Sequence, residues 1–197
     1  MKHYPSIPSE VRPGEYIYAF DKIDGSNIRS EWSKKQGCYK FGSRNRLLGE
    51  DQPIIYKAKE LILKYEDEIG KLCKDQKWES IILFWEFAGP NSAFGNHIED
   101  DEHKVWLIDA NPYKKGILPP KDFISLFGDF NPAPCLYQGY CDNDFVQSVR
   151  NSSLEGMGSE GVVCKTAKLM FKIKADSWYA RLKEHCGDNE KLFEQLK

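Results

Sequence analysis

Six residues of this chain carry charge where a fold usually avoids it or turns it to water. In "FDKIDGSNIRSEW", Phe20 to Trp32, Lys22 interrupts a strand-like run just before Asp24–Gly25. It is either an ordinary turn lysine facing solvent or a nucleophile held at the mouth of a site. Glu86 is the single charge in the apolar run "IILFWEF", where an unpaired carboxylate would cost several kcal/mol. It must therefore sit at a strand end, pair with a cation or face a polar cavity. Lys172 and Lys174 alternate with Phe171 and Ile173, so both amines leave one face of a strand while the apolar pair enters a core. Two parallel lysines repel unless something negative, water or an anionic group, lies between them. Glu160 and Lys165 bracket "EGVVCK". Strict alternation puts them on opposite faces, and they share a site only if Glu160 belongs to the turn after Gly158.

The charge pattern around these residues is uneven. The formal net charge is −2, which argues against nucleic-acid binding by bulk electrostatics alone. Yet Ser33–Gly49 holds Lys34, Lys35, Lys40, Arg44 and Arg46 without an acid, and Gly161–Ala175 holds Lys165, Lys168, Lys172 and Lys174 without one. These windows are either two solvated faces or, if they meet in space, an anion site. The six cysteines are scattered without a Cys-x-x-Cys pair, as expected of free thiols in a reducing compartment. "MKHYPSIPSE" lacks the apolar core of a signal peptide, and no apolar run approaches the roughly 20 residues of a membrane span, so a cytoplasmic protein is expected.

The elements that must position these residues follow from pattern. At 197 residues, one domain with a proper core is expected. Tyr16–Lys22, Asn27–Trp32 and Cys38–Ser43 read as strands joined by "IDGS" and "KKQG", predicting an antiparallel meander. Apolar residues from Ile54 to Leu72 at three-to-four spacing predict one long helix entered near Pro53. Strands are expected at Ile81–Phe87 and Lys104–Ala110, and a short helix from Pro119–Pro120 to Gly128. After "FNPAPCLYQ" comes a short strand, then a helix in "DNDFVQSVR" with an Asp or Asn cap. "EGVVCK" and "LMFKIK" pair next, and the C-terminal helix breaks at Gly187. Strands and helices without regular alternation indicate an α+β fold with antiparallel sheets.

Five segments in order carry a resemblance. "KIDG" at Lys22–Gly25 resembles the nucleotidyl-lysine motif of covalent nucleotidyltransferases, the group of ATP-dependent ligases and capping enzymes. "SRN" at Ser43–Asn45, "FWEFAGPNS" at Phe84–Ser92, "EGVVCK" at Glu160–Lys165 and "KIK" at Lys172–Lys174 look like its successive motifs. The wording of "EFAGPN" and the compact spacing are most similar to phage-type RNA ligases of the RNA ligase 2 family, and the likeness covers nearly the whole chain.

The resemblance implies two antiparallel sheets flanked by helices, with a nucleotide groove between them. It implies ATP and Mg²⁺ (or Mn²⁺) as cofactors, a lysyl-AMP formed on Lys22, and sealing of a 5′-phosphate to a 3′-hydroxyl. A lysine near its reference pKa of about 10.4 is protonated at pH 7 and is no nucleophile; nearby cations lower that pKa. Residue by residue, Lys165 and Lys172 would contact the α-phosphate and Lys174 would place the triphosphate or pyrophosphate. Arg44 would hold the ribose or a substrate phosphate, Glu86 the ribose hydroxyl, and Glu160 a hydrated metal ion. Asp24 and Asn27 would lie near the phosphates, and the Asp21 backbone by the adenine edge.

Two departures from the family pattern are visible. Ile108 occupies the position before the aspartate of "VWLIDA" where many relatives carry an aromatic that stacks on adenine; Trp106 is the candidate substitute on the same face. Asp24 replaces the histidine common in RNA ligase 2 proper. Only 23 residues follow Lys174 (197 less 174), so the expectation is a single adenylyltransferase domain over residues 1–197 with a helical extension from about 175. No appended barrel or helical domain is expected, and a protein partner is the candidate replacement. The expected polynucleotide partner is RNA, as single-stranded ends or a nicked duplex, as in RNA repair. Alternatives are a DNA nick ligase, a GTP-using capping enzyme, and a nucleotide-binding protein of this fold without ligase chemistry. "GNHIEDDEH", with His97, His103 and four acids, reads as a solvated loop rather than a metal site. Trp85 and Trp178 read as core, and Cys164 as opposite Lys165 in its strand.

Overall fold

A computed structural model describes residues 2–44, 46–48 and 53–197, with backbone only at 53 and 54. Among these residues it has eight strands in two four-stranded sheets, every pairing antiparallel, together with six helices. The α+β class and the paired antiparallel sheets expected from the sequence are both present. The chain divides into two compact units. No helix among the described residues is long and apolar enough to cross a membrane.

The first unit comprises Met1–Pro5 and Gly25–Pro132. Its sheet is ordered β3-β2-β4-β5, from β2 (Ser26–Ser33), β3 (Gly37–Ser43), β4 (Ser80–Ala88) and β5 (Lys104–Pro112). Trp85 is fully buried in β4, where its indole N–H donates to Ser30 Oγ at 2.9 Å and its ring stacks on Tyr65. In place of one long helix there are two, α1 (Pro53–Leu63) and α2 (Glu66–Asp75). The apolar period runs through both, but Tyr65 leaves helical geometry so that its ring can lie between Trp85 and Phe130. Glu66, Asp67 and Glu68 then open α2, where acids favour a helix N-terminus. Helix α3 (Pro120–Phe127) starts and stops as predicted.

The second unit comprises Ser6–Asp24 and Ala133–Lys197, with a sheet ordered β6-β1-β7-β8. These strands are β1 (Tyr16–Asp21), β6 (Cys135–Tyr140), β7 (Gly161–Lys165) and β8 (Met170–Lys174). Helix α4 (Asn143–Arg150), capped by the Asp142 carboxylate on the Phe145 N–H, covers one face. That core gathers Ile17, Ala19, Val162, Cys164, Phe171 and Ile173 under Phe145 and Val149. Alternation sends Tyr16, Tyr18, Phe20, Lys165 and Lys172 to the other face. The chain ends in α5 (Asp176–Cys186) and α6 (Glu190–Leu196), broken at Gly187 as expected.

The expected three-strand meander does not form. β2 and β3 make their hairpin, but β1 pairs with β6 and β7 in the second unit's sheet. "KIDG" is therefore a connection between sheets rather than a hairpin turn. Its glycine is required by close approach, because a Cβ at Gly25 would run into the Phe87 carbonyl of β4.

Candidate active site

Lys22 follows the last residue of β1, and its backbone remains in the sheet. The Lys22 N–H donates to the Gly161 carbonyl at 2.9 Å, and the preceding Asp21 N–H donates to the Pro134 carbonyl at 2.8 Å. Its side chain is thereby aimed at the start of β7. There Glu160 sits in the bend before Gly161, as the alternation argument required. Gly161 takes φ +133°, and a Cβ on it would strike the Ile173 carbonyl of β8, so only glycine lets the two strands close here.

Glu160 is 4% exposed and holds two amines. Its Oε2 accepts from Lys22 Nζ at 2.8 Å and its Oε1 from Lys174 Nζ at 2.8 Å. The carboxylate thus fixes the two ammonium groups side by side. Burial pushes the Lys174 amine down to about 8, against the opposing pull of Glu160. The Lys174 amine also lies 3.3 Å from the centroid of the Trp178 ring. The Trp178 indole N–H donates to Asp24 Oδ2 at 3.0 Å. One continuous chain of contacts therefore links Asp24, Trp178, Lys174, Glu160 and Lys22. Asp21 stands beside it, accepting from the Gly158 N–H at 2.8 Å; burial pushes its carboxyl up, and the negative charge of Glu160 adds to this.

The other two lysines lie on the same sheet. Lys165 is buried with its amine 4.7 Å from the centre of the Phe20 ring. Lys172, half-buried, donates to the Lys197 carbonyl at 3.1 Å. Of the Lys-x-Lys pair, Lys172 is half-buried and Lys174 is buried, so neither is the fully solvated lysine that the pattern alone allows.

Among the described residues no group of three or more His, Cys, Asp or Glu side chains is placed to hold a metal ion. That excludes a protein cage, but not a hard cation that keeps most of its water and needs one or two carboxylate oxygens. Glu160 fits that second kind of site only once one of its two oxygens gives up its lysine.

In the first unit, the strand register sets Asn27, Glu86 and Trp106 side by side across β2, β4 and β5. Glu86 is half-buried and lies within the strand. Asn27 donates to the Trp85 carbonyl at 3.4 Å, while its buried Oδ1 has no hydrogen-bond donor among the described residues. An acceptor in that state costs stability unless a ligand supplies the donor. Ile108 falls at the irregularity between β4 and β5, out of register with β4, so the residue directly across from Glu86 is Trp106. Arg44 is exposed, and Asn45 of "SRN" lies outside the described residues.

Sequence reasoning missed two residues. Trp178 is core, as expected, but its ring and N–H also tie two motifs together. Arg29 is 3% exposed and donates to the Ser43 carbonyl at 2.9 Å and the Lys2 carbonyl at 3.0 Å, which fixes the strand end that presents Arg44. By alternation Arg29 shares the polar side of β2 with Asn27 and Glu31, so the sequence carried no signal of its burial. The "GNHIEDDEH" loop also needs correction. Its acids Glu99, Asp100 and Glu102 are exposed, but His103 is buried and stacked on Phe87, and His97 packs against both. The apolar Phe87 draws the imidazoles inward, while Glu99, Asp100 and Glu102 stay in water.

Known proteins resemble this chain in family and fold. The RNA ligase family model matches residues 15–183, which include Lys22, Glu86, Glu160, Lys165, Lys172 and Lys174. No curated protein sequence matches the chain. Among solved structures, an archaeal ATP-dependent RNA ligase superposes with a TM-score of 0.69 at 15% identity, covering 100% of this chain and 56% of that one. A Naegleria gruberi RNA ligase with pyrophosphate gives 0.63 at 18% identity, covering 87% and 53%. A K326A mutant of the Naegleria enzyme with ATP and Mn gives 0.59 at 17% identity, covering 88% and 52%. The chain spans about half the length of these structures. Their similarity places it in the nucleotidyltransferase fold of RNA ligases, and the match over most of its length assigns it to the RNA ligase family.

Proposed function

We propose that this protein is an ATP-dependent RNA ligase that works through a lysyl-AMP on Lys22. The observation that carries this is the pairing of Lys22 and Lys174 on the two oxygens of Glu160. It supports the reading because the Lys22 amine lies beside a second cation within a stretch that matches the RNA ligase family.

In the proposed first step the uncharged Lys22 amine attacks the α-phosphorus of ATP. A nitrogen–phosphorus bond forms, the bond to the bridging oxygen breaks, and pyrophosphate leaves with that electron pair. The proton lost from the amine passes to solvent or to a carboxylate. Lys174, Lys165 and Lys172 act on the same reaction by stabilising charge on the phosphoryl oxygens and the leaving group. Lys174 disfavours the ammonium form of its neighbour Lys22 while the ion pair with Glu160 favours it, so the amine must leave Glu160 to lose its proton. Glu160 would hold a hydrated Mg²⁺ or Mn²⁺, which supplies positive charge at the phosphates when bound. The Naegleria structures that contain ATP with Mn, or pyrophosphate, support this choice of cofactors. Glu86 is proposed to accept from the ribose hydroxyls, with Arg44 on the ribose or a substrate phosphate. Asp24 and Asn27 serve near the phosphates, Asp21 and Ile108 at the base. AMP then moves to an RNA 5′-phosphate, and a 3′-hydroxyl displaces it.

Incubation with α-labelled ATP and Mg²⁺ tests the first step. Covalent label is expected on the wild type and none on Lys22→Ala; label persisting on that variant would refute the mechanism. A panel of nicked RNA duplex, single-stranded RNA and nicked DNA tests the acceptor, and sealing of nicked DNA alone would replace RNA with DNA.

A further inference from the structure

The second unit's sheet carries aromatic surface that the proposed chemistry does not use. Tyr16 is 47% exposed and Tyr140 63% exposed, and they lie directly opposite each other on β1 and the edge strand β6. Their rings meet edge to face at 5.3 Å, and Tyr16 meets Tyr18 in the same way at 6.3 Å. Gln138, opposite Tyr18, donates to both the Tyr16 and Tyr18 hydroxyls, at 3.2 and 3.3 Å. The rings are therefore fixed in place rather than loose on the surface.

This patch is continuous with the lysine face. Tyr18 is opposite Lys165 across β1 and β7, and Phe20, next on the same face, lies under the Lys165 amine. Extending that register brings the turn after β7, with the exposed Lys168, level with Tyr16. Exposure falls along the row from Tyr140 and Tyr16, through half-buried Tyr18, to buried Phe20 and Lys165. A surface that is open at the sheet edge and closes toward a buried lysine has the form of an approach. Fixed aromatic faces beside lysines suit single-stranded nucleic acid, in which bases stack on rings and phosphates meet cations.

We propose that Tyr16 and Tyr18, held by Gln138, and Tyr140, packed on Tyr16, are a base-stacking platform for a single-stranded segment of the RNA substrate, with Lys168 on its phosphates. The identity of the strand as RNA rests on the function proposed above; the platform rests on its own geometry. The test is fluorescence anisotropy of a labelled single-stranded RNA oligomer on the full chain. The double variant Tyr16→Ala/Tyr140→Ala is expected to bind at least tenfold more weakly, since stacking on each ring is a large share of affinity per base. Tyr16→Phe/Tyr140→Phe keeps the rings and is expected to bind within about threefold of wild type. Lys168→Ala is expected to lower the salt dependence of binding.

Lysyl-AMP yield from ATP alone, measured on the same samples, is expected to be unchanged in all of these. Loss of RNA binding in the alanine variant supports the platform even if wild type forms no lysyl-AMP, a result that would count only against the proposed chemistry. Equal RNA affinity in wild type and the alanine variant would overturn the platform. So would no RNA binding by wild type, or a wild-type dimer in size-exclusion chromatography that the alanine variant dissolves.

Discussion

The two units handle their polar residues in opposite ways. In the second, cations and carboxylates satisfy one another through short contacts, from Asp24 through Trp178, Lys174 and Glu160 to Lys22. In the first, Asn27 lies in register beside Glu86 and Trp106, and its buried Oδ1 has no donor among the described residues. Phosphate chemistry needs cations fixed before substrate arrives, because repositioning charge during the reaction is costly. Recognition of a ribose or base needs acceptors still open to a ligand's donors. The difference thus separates residues expected to govern rate from residues expected to govern affinity.

Removing Glu160 breaks the comparison most severely. Glu160→Gln leaves Lys22 and Lys174 beside a neutral amide, and breaking a buried pair costs about 3–5 kcal/mol. Single-turnover formation of lysyl-AMP is expected to fall at least about 100-fold. Thermal unfolding of the same sample should show a lower midpoint. A variant that loses stability yet keeps its rate would make Glu160 structural only.

Trp178 separates position from mere packing. Trp178→Phe keeps an aromatic face near Lys174 but removes the N–H that holds Asp24. A roughly tenfold slower adenylylation with little change in the KM for ATP is expected, about the worth of one charge-assisted hydrogen bond. Trp178→Leu, which also loses the ring face over the ammonium, should be slower again. Equal rates for the two would mean that the ring contact contributes nothing to the reaction.

Asn27→Ala probes the other unit. If Oδ1 awaits a ligand donor, the KM for ATP should rise several-fold while the single-turnover rate at saturation stays within about twofold. The opposite split would erase the distinction between the units.

Much of the site was legible because residue type and strand alternation are local properties. Lys172 and Lys174 had to leave one face of a strand once Phe171 and Ile173 entered the core, and Glu160 had to occupy the turn before β7 to meet any of the lysines. Long-range pairing was not legible. "IDGS" has the composition of a hairpin turn, yet β1 pairs with strands more than 110 residues further on, a choice that local propensity does not encode. Tyr65 continued the helical period, and only its stacking on Trp85 and Phe130 shows why the helix breaks. Trp178 looked like core because its partner Asp24 is 154 residues away in sequence.

The smallest predicted effect lies in the histidine loop and concerns stability alone. His97 is held by Ser26 Oγ at 2.8 Å and Ser92 Oγ at 3.0 Å, against Phe87 and His103. Burial, aided by neighbouring His103 and only partly offset by Asp101, pushes its pKa down to about 4 from 6.5. Between those two values the unfolded chain binds a proton that the folded one does not. The stabilisation from neutral His97 is therefore complete above about pH 6.5 and lost as pH falls toward 4. The side chain is only half-buried, so the effect is discounted to about 1–2 kcal/mol. Urea unfolding at pH 7 and pH 4.5 should show that difference between wild type and His97→Gln, which can keep hydrogen bonds to the serines but cannot titrate. A variant with the same pH dependence as wild type would mean that the acid sensitivity arises elsewhere, and that His97 is held by the serines without penalising its protonated form.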